Sequence, residues 1–157
     1  MKPGILVVED DQASRELLQV WLEGQGCTVR CVADVAGAHA AIGAAKPDLI
    51  LLDIGLGAED GLQIAAWVRQ HADTAIIPVI AVTAHAMVSD RQRIFASGCN
   101  AFLAKPVDFE ELRTTLGEWL PGDGRPAGTH AGSGNVETER MIRADQSIRG
   151  GRRPANL

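Results

Sequence analysis

Aromatic side chains are scarce: three tryptophans, three phenylalanines and no tyrosine make up 4% of 157 residues. A core must therefore be built from Leu, Ile, Val and Ala, and a hydrophobic content of 46% is enough for one domain of ordinary size. Cysteine is rarer still. Cys27, Cys31 and Cys99 are an odd number in an ordinary globular composition, which argues against a disulfide framework and for reduced thiols in a cytoplasmic protein. Cys27 and Cys31 have no neighbouring Cys or His to complete a metal site. Long apolar runs are missing as well. The opening MKPGILVVEDD has four apolar residues in a row and then acids, which is neither a signal peptide nor a membrane span. Nor is there a basic excess. The net charge of −5 argues against a nucleic-acid surface. Residues 1–120 carry 9 basic and 16 acidic groups, and residues 121–157 carry 6 and 4.

What is present alternates. Ile5–Val8 reads as a short buried strand, and Gln12–Glu23 as a helix with apolar residues at spacings of three and four, including Leu17, Leu18, Val20, Trp21 and Leu22. Gly24 and Gly26 stop it. Cys27–Val32 reads as a second strand, Val35–Ala45 as a helix ended by Lys46-Pro47, and Asp48–Leu52 as a third strand. Leu62–His71 carries Leu62, Ile64, Ala65 and Val68 on one stripe. Pro78 opens a fourth strand through Thr83. Val88–Ser97 reads as a polar helix with Ile94 and Phe95 inward, Ala101–Ala104 as a fifth strand, and Asp108 caps a last helix to Trp119. Five β-α units in strict alternation imply an α/β fold with a parallel sheet and helices on both faces. The near-continuous apolar strands agree, because such strands are buried on both sides. After Leu120 the composition turns rich in Gly and Pro. Residues 121–157 hold too little apolar surface to offset the entropy of ordering, and read as a disordered, basic tail with weak helical character near Glu137–Ile148.

The strand ends carry the chemistry. Leu49–Leu52 is an unbroken apolar run that meets Asp53, and a carboxylate at the lip of a buried strand costs several kcal/mol unless something pairs with it. The first strand ends in Glu9, Asp10 and Asp11, the fourth in Thr83, and the fifth in Lys105-Pro106. In a doubly wound sheet the ligand crevice lies outside these ends. Carboxylates gathered there stay ionised only around a cation, and hard oxygen ligands in an open, wet site suit Mg²⁺. Asp53, with an ammonium and a hydroxyl nearby, has the makings of a carboxylate nucleophile for a phosphoryl group. Lys105 and Thr83 would hold the other phosphoryl oxygens. Asp11 has two readings, a cap on the first helix or a metal ligand.

These segments resemble the receiver domain of two-component response regulators, the chemotaxis-type phosphoacceptor fold. ILVVEDD is similar to its acidic pocket, with Glu9 and Asp10 as the acid pair. LILLDIGLGAEDG is similar to its phosphoacceptor segment, with Gly61 eight residues after Asp53. VIAVTAHAM resembles its threonine strand and AFLAKP its lysine-proline turn. The resemblance covers about residues 3–120 and implies a stand-alone receiver with a flavodoxin-like doubly wound five-stranded sheet, strand order 2-1-3-4-5. It further implies Mg²⁺ held by Asp10, Asp53 and the Gly55 carbonyl, with Glu9 reached through water. Asp53 would be phosphorylated from a phosphohistidine on a histidine kinase or histidine phosphotransfer protein. The chain would then signal through protein contacts, with no activity as an enzyme beyond self-phosphorylation and slow self-dephosphorylation of Asp53. Thr83 and Phe102 would form the switch, with Phe102 one face away from Thr83, and a cis Lys105-Pro106 bond would aim Lys105 inward. Gly55 and His85 occupy the positions that tune the lifetime of the phosphoryl group. TAHAM resembles receivers attached to, or working beside, hybrid histidine kinases. Two departures stand out. Gly57 replaces the family's usual proline, which gives that loop more freedom, and Phe102 lacks the hydroxyl of the common tyrosine.

Plainer readings accompany these. His39, His71 and His130 read as surface residues, His85 as either functional by position or merely solvent-facing, and Trp21, Trp67 and Trp119 as packing residues. Six arginines without interleaved aromatics make the tail a solvated one rather than a nucleic-acid arm. Three rival readings compete with that of a receiver. A degenerate pseudo-receiver acting as a binding module is opposed by the complete acid, threonine and lysine set. A haloacid-dehalogenase-type phosphohydrolase wants a second Asp where Gly55 stands. A DNA-binding regulator needs a helix-turn-helix domain that the chain does not show.

Overall fold

The computed structural model describes residues 2–121. Strands β1 (Gly4–Val8), β2 (Thr28–Val32), β3 (Leu49–Asp53), β6 (Val79–Thr83) and β7 (Ala101–Ala104) form one parallel sheet in the order β2-β1-β3-β6-β7. Counting only these five strands, this is the order 2-1-3-4-5. Helices α1 (Gln12–Gly24), α2 (Val35–Ala44), α3 (Leu62–Gln70), α4 (Val88–Ala96) and α5 (Phe109–Trp119) connect them. Between β3 and α3 lies a ribbon absent from the sequence reading, β4 (Gly55–Leu56) against β5 (Glu59–Asp60). Gly57 turns it with φ +61°, a value proline cannot reach. A positive φ at the first central residue of a two-residue hairpin is where glycine is wanted.

The strands are buried on both faces because alternate residues feed two cores. Leu6, Val8, Ile50, Leu52, Val79 and Ala81 pack with α2, α3 and Ile94 of α4. Ile5, Val7, Leu49, Leu51, Ile80 and Leu103 pack with Leu18 and Leu22 of α1 and Leu112, Leu116 and Trp119 of α5. The helix caps are local. Asp11 accepts from the Ser14 amide, Asp34 from that of Gly37, and Asp108 from those of Glu110 and Glu111.

Three expectations are corrected. The apolar stripe of α1 is narrower than its spacing suggested: Leu18 and Leu22 are buried, but Leu17 is 58% and Val20 70% exposed. Phe95 is only partly buried beside a fully buried Ile94. His39 is not a plain surface residue. Its ring stacks on Trp67 at 4.4 Å between α2 and α3, and its Nε2 is buried without a hydrogen-bond partner. His71 is exposed and covers the same Trp67, with ring centroids 4.5 Å apart. His130 and the proposed tail fall outside the described residues. The cysteines are free, and burial pushes the Cys99 thiol up to about 12, so it is inert. Among the described residues no helix is long and apolar enough to cross a membrane.

Candidate phosphoacceptor site

Register brings the site together. Val8 is level with Leu52, so Glu9 follows β1 beside Asp53 at the end of β3. Asp53 is level with Val82, and Thr83 with Ala104. Thr83 and Lys105 therefore each lie one residue further along the same lip. Parity then sets direction. Asp53 follows Leu49 and Leu51 toward the α1/α5 side, whereas Thr83 follows Val79 and Ala81 toward α4. Phe102 is level with Ala81 and packs against the same core. It thus shares a face with Thr83, a correction to the expectation that it lay one face away.

The question posed by Asp53 has its answer in Lys105. The Lys105 ammonium lies 2.8 Å from Asp53 Oδ2 and 3.0 Å from Glu9 Oε1. Its own amide donates to the Thr83 carbonyl, and the bond to Pro106 is cis. Asp53 Oδ1 accepts from the Gly55 amide at 2.9 Å. Glu9 and Asp53 are only 2% and 6% exposed, while Asp10 is exposed. Arg15 of α1 holds this corner from behind, its guanidinium donating to the carbonyls of both Glu9 and Asp10 at 2.9 Å. Glycine is required at Gly61. A Cβ there would run into the Asp53 carbonyl oxygen and lie 2.9 Å from the Ile54 Cα, so the start of α3 can press against the strand end that carries Asp53.

Burial first, and then the hydrogen bond to Asp53, raises the Glu9 carboxyl to about 7 despite Lys105. Burial pushes Asp53 upward too, but hydrogen bonds from Glu9, Lys105 and the Gly55 amide outweigh it and hold Asp53 below the usual carboxylate range. Lys105 loses some charge stabilisation to burial and more than regains it from Asp53 and Glu9, so its ammonium is held above its ordinary value. Of the two buried carboxyls, Glu9 is thus the one that takes a proton more readily and Asp53 the one that stays ionised.

Glu9, Asp10 and Asp53 each offer an oxygen within 4.8 Å of the others, the one such cluster among the described residues. Glu9 Oε2 is buried with no partner. An all-oxygen donor set with an idle buried acceptor fits a small hard cation. Asp11 stands apart, as the cap of α1, its carboxylate taken by the amide and hydroxyl of Ser14. Thr83 is buried, and its hydroxyl accepts from the His85 amide at 3.0 Å and donates to the His85 carbonyl at 2.9 Å. The His85 side chain is exposed. A cavity of about 650 Å³ opens beside Lys105 and Asp53, walled by Leu17, Leu18, Val107 and Phe109.

Sequence reasoning missed Arg69. Its guanidinium donates to the carbonyls of Gly98, Ala75 and Ile77 and to the Asn100 side chain, tying α3 to the loops that frame β6 and β7. A basic residue in the last turn of a predicted helix was the only signal, and that pattern is common.

An open parallel sheet with acids and one ammonium converging on its carboxyl lip defines a ligand-crevice α/β domain of the doubly wound class. The chain belongs to the response regulator receiver domain family, whose model matches residues 5–117. It is 34% identical over 126 residues to the polar-differentiation response regulator DivK of Brucella anthropi, covering 76% of this chain and 98% of that one. Its fold matches the receiver domain of a sensor histidine kinase of Pseudomonas aeruginosa, solved with magnesium coordinated in its active-site cleft. That match has a TM-score of 0.70 and 32% identity over 76% of this chain and 98% of that one. The signal receiver domain of a histidine kinase from Syntrophus aciditrophicus aligns with a TM-score of 0.72 and 29% identity, over 79% and 94%. The chain is thus a receiver domain of two-component signalling.

Proposed function

We propose that residues 1–120 are an Mg²⁺-dependent phosphoacceptor that takes a phosphoryl group onto Asp53 from a phosphohistidine of a histidine kinase or histidine phosphotransfer protein, and signals through protein contacts. The observation that carries this reading is Lys105 bridging Asp53 and Glu9 at 2.8 and 3.0 Å inside a cluster of three carboxylates. A carboxylate oxygen of Asp53 forms the new O–P bond while the P–N bond of the donor breaks, and the electron pair stays on the imidazole, which takes up a proton from water. Lys105 exchanges its contact with the carboxylate for one with a phosphoryl oxygen, so the charge arriving on Asp53 is met by an ammonium already in place. Asp10, Asp53 and the Gly55 carbonyl would hold Mg²⁺, with Glu9 reaching it through water. When bound, the ion supplies neutralisation of the phosphoryl charge. Thr83 senses the modification by giving up His85 for a phosphoryl oxygen, and Phe102 responds on the same face. Gly55 and His85 tune how long the phosphoryl group lasts. The test is a small P–N donor, phosphoramidate, with and without Mg²⁺. One phosphoryl group should be added in Mg²⁺ and next to none in chelator; equal labelling in both would refute the metal requirement.

A further inference from the structure

We propose that Arg91 is a positioning residue that clamps Phe102 and the β6–α4 loop in the unmodified state, and so sets how readily Asp53 is modified. The inference rests on the reading of Asp53 as phosphoacceptor and Thr83 as its sensor. Arg91 lies in the first turn of α4, and its Nε donates to the Ala86 carbonyl at 3.1 Å. Its guanidinium carbon stands 5.5 Å from the centre of the Phe102 ring, which also meets Phe95 edge-on at 6.1 Å and packs on the core below. A guanidinium over an aromatic face is attracted by the ring quadrupole.

The same arginine reaches the sensor through the backbone. Ala86 directly follows His85, whose amide and carbonyl are both bonded to the Thr83 hydroxyl. Thr83, His85, Ala86, Arg91 and Phe102 therefore form one unbroken run of contacts, from the residue after the Asp53-paired position of β6 to the aromatic ring of β7. Arg91 Nη1 is buried without a hydrogen-bond partner. A partly desolvated guanidinium with an idle N–H is costly unless its remaining contacts hold it. Here they are one loop carbonyl and one ring.

If the Thr83 hydroxyl turns to donate to a phosphoryl oxygen, its bond to the His85 carbonyl is lost and the loop bearing Ala86 is loosened. Arg91 then loses its anchor and its place over the ring together, and Phe102 is free to move. Contacts made only in the unmodified state oppose modification by their own differential free energy. Lysine replaces this clamp only in part, because its ammonium is still attracted by the ring but only the planar guanidinium stacks and donates from Nε at once.

The chain has three phenylalanines, so fluorophenylalanine labelling of the full chain gives three ¹⁹F resonances, assigned by Phe→Tyr variants. Beryllofluoride with Mg²⁺ serves as the phosphoryl mimic, titrated against the parent, Arg91→Met and Arg91→Lys. Removing the clamp should move the Phe102 resonance of the unliganded protein toward its beryllofluoride position and lower the titration midpoint roughly 2- to 5-fold, the value of one exposed cation–π contact. Arg91→Lys should fall in between. Phe109, packed on Trp21 at 5.0 Å, should not move and reports an intact fold. A midpoint unchanged in both variants overturns the clamp, even if the Phe102 resonance shifts from the lost neighbouring charge. A parent that does not respond to beryllofluoride at all overturns instead the phosphoacceptor reading on which the clamp rests.

Discussion

Lys105 and Asp53 are 52 residues apart in sequence and 2.8 Å apart in space. This contact lets a nearly buried carboxylate stay ionised at the edge of an apolar core. Breaking it by Lys105→Met should leave Asp53 and Glu9 facing each other without a counter-charge. Removing one partner of a fully buried pair costs roughly 3–5 kcal/mol. Lys105 is about one-third exposed, so a loss on the order of 1–3 kcal/mol is expected in metal-free urea unfolding at pH 7. An unchanged midpoint would mean that solvent already screens the pair.

Glu9 gives the metal-free protein a pH dependence. Its carboxyl titrates near 7 when folded against 4.5 in the open chain, so the folded state binds the extra proton between those values. The stability it brings is complete below about pH 4.5 and is lost as pH rises to about 7, with a ceiling of roughly 3 kcal/mol. Asp53, held low, acts in the opposite sense and only at lower pH, where its stabilisation is lost on acidification. Urea unfolding in chelator should therefore show stability falling from pH 5 to pH 7.5 in the parent and nearly flat in Glu9→Gln.

Asp10 is the exposed member of the carboxylate cluster. Asp10→Asn should weaken Mg²⁺ binding at least tenfold by removing a charged ligand. It should also leave the metal-free protein as stable or more so, because a like charge is relieved. Titration calorimetry with Mg²⁺ decides: an unchanged affinity would show that Asp10 is not a ligand.

Gly61→Ala tests whether the approach of α3 positions the site. Its Cβ meets backbone rather than a flexible side-chain end, so Asp53 and Ile54 must shift. A destabilisation of about 2 kcal/mol or more is expected, in the range for strained or overpacked positions. Slower modification by a small donor should accompany it. Parent-like values of both would show that the turn adapts without moving Asp53.

Much of this was legible in the sequence because it depends on local pattern. Leu49–Leu52 had to be a strand buried on both faces, and parallel register alone then carried Glu9, Asp53, Thr83 and Lys105 to one lip. What was not legible depends on contacts between elements distant in sequence. The β4–β5 ribbon has two residues per strand, too few for a period. His39 joins Trp67 only once α2 lies beside α3. Leu17 and Val20 have helical apolar spacing, yet α1 packs through the narrower stripe of Leu18 and Leu22. Arg69 is indistinguishable in sequence from any surface arginine until the loops at Ala75, Ile77 and Gly98 close around it.

Intact-mass spectrometry shows whether Asp53 is the single phosphoacceptor. Parent and Asp53→Ala are incubated with acetyl phosphate and Mg²⁺, and their masses are compared. The parent should gain one phosphoryl group and Asp53→Ala none; an equal gain in the variant would place the acceptor on another residue.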